Sequence, residues 1–111
     1  MTKAQADQFI LDQLKRLGAG MSQPREVIHY LYLPSGEAAR QAAEALQSKG
    51  YRTEDKMAAN ANINRQNPYL VLAKNHIVAS PQAVQELRRL FEELASFHNG
   101  EYDGWEAAAK P

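Results

Sequence analysis

The sequence predicts an α+β protein: an antiparallel sheet with helices packed on one face, preceded by a further N-terminal helix. Two observations predict it. Short runs rich in β-branched and aromatic residues, such as Val27-Ile28-His29-Tyr30-Leu31-Tyr32-Leu33, alternate with longer stretches of helical apolar spacing. Capping residues and turn glycines punctuate the boundaries between them.

The first helix is expected over residues 2–17. Phe9, Ile10, Leu14 and Leu17 lie near helical spacing, Thr2 with Gln5 fits a reciprocal capping box, and Gly18 stops the run. After a turn region from Gly18 to Pro24, the run from Val27 to Leu33 is the clearest strand, ended by Pro34. Ser35 caps a second helix in which Ala38, Ala39, Ala42, Ala43, Ala45 and Leu46 form a small-residue face, suited to close approach to a sheet before Gly50 ends it.

Tyr51 to Met57 reads as a half-exposed edge strand, with Tyr51, Thr53 and Met57 on one side and mostly charges on the other. Asn60 to Pro68 is polar and is expected to be a loop. Tyr69-Leu70-Val71-Leu72-Ala73 suits a strand covered on both faces. Ser80-Pro81 supplies a cap and a first-turn proline for the longest helix, with Val84, Leu87, Leu90, Phe91 and Leu94 as its stripe up to Asn99-Gly100. Glu101 to Ala107 closes the sheet as a last strand, in which Gly104 marks a bulge or a close backbone approach.

That order is βαββαβ, the split-βαβ arrangement of ferredoxin-like folds. Residues 1–111 are expected to form a single domain, with the βαββαβ core over residues 26–107. The first strand is apolar on both faces: Val27, Leu31 and Leu33 point one way, Ile28, Tyr30 and Tyr32 the other. Two helices cover one face; the other could be covered by the N-terminal helix, a second copy of the chain or the partner, and the helix is the expected cover with sheet-to-sheet dimerisation next.

Composition limits the function classes. Thirteen basic and thirteen acidic residues interleave to a net charge of zero, so indiscriminate attraction to nucleic-acid phosphates is not expected. There is no cysteine, which removes disulfides, thiolate metal sites and cysteine nucleophiles and fits a reducing compartment. No apolar run reaches the about 20 residues that span a bilayer, and residues 1–7 are polar where a signal peptide would be apolar, so a cytoplasmic location is expected.

No P-loop, dinucleotide fingerprint, nucleophile elbow or metal motif occurs, and no cofactor or catalytic residue is assigned. His29, His76 and His98 lie too far apart in sequence to form a local ligand set. Tyr30, Tyr32 and Tyr69 on adjacent strands could stack single-stranded bases, but no basic or glycine-aromatic motif accompanies them, and direct nucleic-acid binding is not expected. Glu101, Asp103 and Glu106 form an acidic cluster that would suit acid–base chemistry only if buried together; the plainer reading keeps both glutamates solvated and bonds Asp103 to nearby backbone. Trp105, the only tryptophan, reads first as a core anchor and second as an interface residue.

The heptapeptide Gly100-Glu101-Tyr102-Asp103-Gly104-Trp105-Glu106 resembles the terminal signature of the RraB family, regulators of ribonuclease E activity. His29-Tyr30-Leu31-Tyr32-Leu33-Pro34, Lys49-Gly50-Tyr51 and Leu94-Ala95 support the resemblance in order, over roughly residues 5 to 107. It implies an α+β sandwich of bacterial origin that binds ribonuclease E and lowers its activity without being a nuclease. The partner-binding candidates it carries over are Tyr102, Asp103, Gly104, Trp105 and Glu106. Its zero net charge and the non-acidic residues that follow Ala107, Ala108-Ala109-Lys110-Pro111, differ from characterised members and are expected to reduce the pull on a basic partner segment. The alternatives are a dimeric α+β adaptor and a small acid–base enzyme using the carboxylate cluster; the chain is expected to be a monomer or a homodimer.

Overall fold

A computed structural model describes residues 2–16, 23–59, 61 and 65–108. Its elements run α1 (Lys3–Arg16), β1 (Arg25–Leu33), α2 (Gly36–Gln47), β2 (Arg52–Met57), β3 (Tyr69–Ile77), α3 (Pro81–Phe97) and β4 (Glu101–Ala107). The strands form one antiparallel sheet in the order β2-β3-β1-β4, the split-βαβ topology that the element order predicts.

Local chemistry fixes the helix starts. The Thr2 hydroxyl accepts from the Gln5 backbone N–H at 3.1 Å while the Gln5 side chain accepts from the Thr2 N–H at 2.8 Å, the reciprocal capping box expected there. Ser35 and Ser80 each accept from the N–H three residues on, Ala38 and Ala83, at 3.1 Å. Leu17, Gly18 and the turn up to Ser22 lie outside the described residues, as do Asn60 and residues 62–64 of the expected loop.

Strand parity divides the sheet into two faces. Val27, His29, Leu31 and Leu33 of β1 share a face with Val71 and Ala73 of β3 and Tyr102 and Trp105 of β4. Here Ala39, Ala42, Ala43 and Leu46 of α2 and Phe91 and Ala95 of α3 complete the main core. Alanine at these α2 positions lets the helix lie close to the strands, as expected.

Gly100, at the α3–β4 junction, is needed for a similar reason. A methyl group there would collide with the backbone carbonyl oxygen of Tyr32 and stand 2.9 Å from Leu33 Cδ1.

Helix α1 departs from expectation. It does not cover the second face but lies beside α3 on the helical side, where Leu11 joins Val27, Ala79, Val84 and Trp105 in a second apolar cluster. Its buried stripe is Asp7, Leu11 and Leu14, while Phe9 is half exposed at 50% and Ile10 partly buried. Leu11 faces inward because it follows Asp7 by four residues and precedes Leu14 by three; Phe9 falls off that line.

The opposite face carries Ile28, Tyr30 and Tyr32 of β1 and Leu70 and Leu72 of β3, with Ala58 packed against them. Among the described residues no helix lies on it. Tyr69 is not part of this face; it pairs with Leu33 and packs toward α2, so Tyr30, Tyr32 and Tyr69 do not form one stacking platform.

Candidate functional site

The terminal signature is β4 itself, an edge strand, and its residues divide by direction. Tyr102 and Trp105 point into the core and are buried, whereas Glu101, Asp103 and Glu106 are exposed. A bulge makes this division. Gly104 pairs with Tyr30 and Tyr102 with Leu31, leaving Asp103 unpaired, and Gly104 takes φ +111°, a left-handed conformation that favours glycine. The expected bulge at Gly104 is therefore present.

The three carboxylates do not converge. Glu101 accepts from the Asn67 side chain at 2.8 Å, Glu106 accepts from the Tyr30 hydroxyl, and Asp103 stands on the bulge. Tyr30 is pushed up to about 12, first by desolvation and then by its bond to Glu106; Tyr32 is also raised, first by desolvation and then by the charge of Asp103. Glu106 and Asp103 thus stand near the two tyrosines of the uncovered face, the first by its hydrogen bond and the second from the bulge.

Beneath β4 runs a polar network. The Arg88 guanidinium donates to both oxygens of Asp7 at 2.7 Å, and Trp105 Nε1–H donates to Asp7 Oδ1 at 2.8 Å. Arg88 also reaches Glu92 at 3.2 Å and lies 5.2 Å from the Tyr102 ring centroid, a cation–π distance. The hydrogen bonds to Asp7 raise the Arg88 pKa against the opposing effect of burial. One carboxylate thus joins α1 to both α3 and β4.

Sequence reading missed this network. Its signals were a charge on each apolar stripe: Asp7 four residues before Leu11, and Arg88 between Val84 and Phe91.

His29 lies next to it. The ring stacks on Phe91 at 4.0 Å between centroids, and Nδ1 shares a hydrogen bond of 2.8 Å with the Tyr102 hydroxyl. Among the described residues Nε2 has no hydrogen-bond partner, and the ring borders an apolar hollow lined by Val27, Ile77, Ala79, Val84, Leu87 and Trp105. The ring is thus half satisfied. His76 sits at the exposed end of β3 and His98 caps α3, so the three histidines stay apart.

Burial first, and the Arg88 charge second, lower the His29 pKa from 6.5 to about 4. The unfolded chain therefore takes up a proton near pH 6.5 that the folded chain refuses until about pH 4, and stability falls as pH drops through that window. The expected loss is roughly 3 kcal/mol. Chemical denaturation across pH 7 to 4 measures it, and His29→Phe should remove most of the slope.

The architecture defines a class: a ferredoxin-like α+β sandwich whose edge strand turns acidic side chains outward and anchors aromatic ones inward. The description of one protein family, Regulator of ribonuclease activity B, matches residues 4–107. The chain belongs to that family, RraB. Comparison with curated proteins returned no match.

Proposed function

We propose that this chain acts as a protein regulator that binds an RNA-degrading enzyme of the ribonuclease E kind and lowers its activity, working in the cytoplasm and without catalysis of its own. Family membership supports a regulatory role through a protein partner. The observation that carries the choice of surface is the division of the signature: Tyr102 and Trp105 are committed to the core, which leaves Asp103, Glu106 and the Gly104 backbone at the sheet edge to meet a partner. An exposed acidic edge steers and orients a basic partner segment more than it adds affinity.

Binding to purified ribonuclease E at two salt concentrations, with cleavage of an RNA substrate followed in parallel, tests this reading. Saturable binding that weakens with salt, together with slowed cleavage, is expected. Absence of binding at both salt concentrations would overturn the choice of partner.

A further inference from the structure

The uncovered sheet face has an order that its strand register reveals. Three rows cross the four strands from β2 to β4: Arg52-Lys74-Ile28-Glu106, Glu54-Leu72-Tyr30-Gly104 and Lys56-Leu70-Tyr32-Glu101. Two rows begin with a cation on the β2 edge and end with a carboxylate on the β4 edge. In the third the charge is reversed: Glu54 stands across from Gly104, which has no side chain. The centres of the two rows through Tyr30 and Tyr32 are aliphatic and aromatic, while the row through Ile28 has Lys74 beside it; Ile28, Tyr30 and Tyr32 are half buried against Leu70 and Leu72.

We infer that this face docks a second copy of the chain, sheet against sheet, with the two-fold axis parallel to the strands. Such a rotation reverses each row upon itself. Arg52 then stands over Glu106 of the other copy, Lys56 over Glu101, Leu72 over Tyr30 and Leu70 over Tyr32, and each contact occurs twice because the interface is isologous. Glu54 falls over Gly104, which has no side chain of its own, and the exposed Asp103 carboxylate on the same bulge is a like charge that weakens this contact. An axis across the strands would instead set one acidic β4 edge against the other, which like-charge repulsion disfavours.

The existing bonds leave room for these contacts. Arg52 holds Glu26 at 3.1 Å within the chain, and a guanidinium has donors enough for a second carboxylate. Glu106 accepts from Tyr30 through Oε1, leaving its other oxygen available. Lys74, which reaches Glu54 at 3.6 Å, lays its apolar stem toward Ile28 of the other copy. Aligned sheets pack about 10 Å apart and within about 30° of parallel, an offset that long arginine and lysine side chains absorb at the edges.

Four strands about 4.8 Å apart and about seven residues long give a face of roughly 450 Å² in projection. That is small beside the about 800 Å² of accessible surface each partner buries in a standard interface, so the dimer is weak, with Kd on the order of 10–100 μM. Glu106 is shared with the proposed partner surface, so self-association and partner binding compete for it.

Sedimentation equilibrium of the whole chain from about 1 μM to about 1 mM tests the inference. A monomer–dimer equilibrium is expected. Arg52→Glu and Glu106→Arg should each weaken it about tenfold, and the double swap should restore it to within about threefold, because each new glutamate then faces a new arginine. Far-UV circular dichroism of all three variants checks that the fold persists, and Lys56→Glu with Glu101→Lys repeats the test on the row through Tyr32. A chain that stays monomeric throughout, or a dimer that both swap pairs leave unchanged, overturns the proposal.

Discussion

Replacing Trp105 with alanine is expected to destabilise the protein by about 4 kcal/mol, the range for truncating a buried tryptophan. Its ring is 7% exposed and packs with Leu11, Val27, Ala79 and Val84, so truncation opens a cavity where α1, β1, α3 and β4 meet. Truncation also removes the Nε1–H bond to Asp7. Trp105→Phe separates the two effects. It keeps the larger part of the ring packing while losing the donor and some buried ring volume, and since Arg88 still holds both Asp7 oxygens the loss should be about 2 kcal/mol, well short of that for alanine. Guanidinium denaturation followed by far-UV circular dichroism measures both, because the only tryptophan signal is lost in either variant.

Asp7→Ala is expected to cost about 3 kcal/mol. Its carboxylate is 6% exposed and accepts three hydrogen bonds, two from Arg88 and one from Trp105. Removing it strands a largely buried guanidinium that retains Glu92, together with an indole N–H. The penalty is that of uncompensated buried donors rather than the net worth of the pair. The double variant Asp7→Ala with Arg88→Ala should therefore lose less than the sum of the two single losses, and a double-mutant cycle gives the coupling. Additive losses would mean that the ion pair does not hold α1 in place.

These two positions show what the sequence could and could not disclose. The βαββαβ order, the caps at Thr2, Ser35 and Ser80 and the bulge at Gly104 were legible because each is set by residues within a few positions of one another. The seat of α1 was not. An apolar stripe says that a helix face is buried but not against what, and the deciding contact joins Asp7 to Arg88, 81 residues away. Phe9 was misassigned to the stripe for a related reason: hydrophobicity favoured it over Asp7, whose burial requires a distant cation.

The site was legible as a segment but not as a surface. Tyr102, Asp103, Gly104, Trp105 and Glu106 form one distinctive run, yet strand alternation interrupted by the bulge sends Tyr102 and Trp105 inward and Asp103 and Glu106 outward. Tyr102 and Trp105 are therefore structural and Gly104 shapes the bulge, while Asp103 and Glu106 face solvent. Parity likewise separates Tyr69 from Tyr30 and Tyr32, which a list of aromatic residues cannot do.

The most direct test of the proposed partner surface is the affinity of Asp103→Lys for ribonuclease E beside that of the unaltered chain, with stability measured on the same samples. Asp103 is exposed on the bulge, so stability should stay within about 0.5 kcal/mol while affinity falls at least about tenfold and inhibition of cleavage weakens in step. Unchanged affinity and inhibition in a stable variant would contradict the account and leave the signature a device for holding α1, α3 and β4 together.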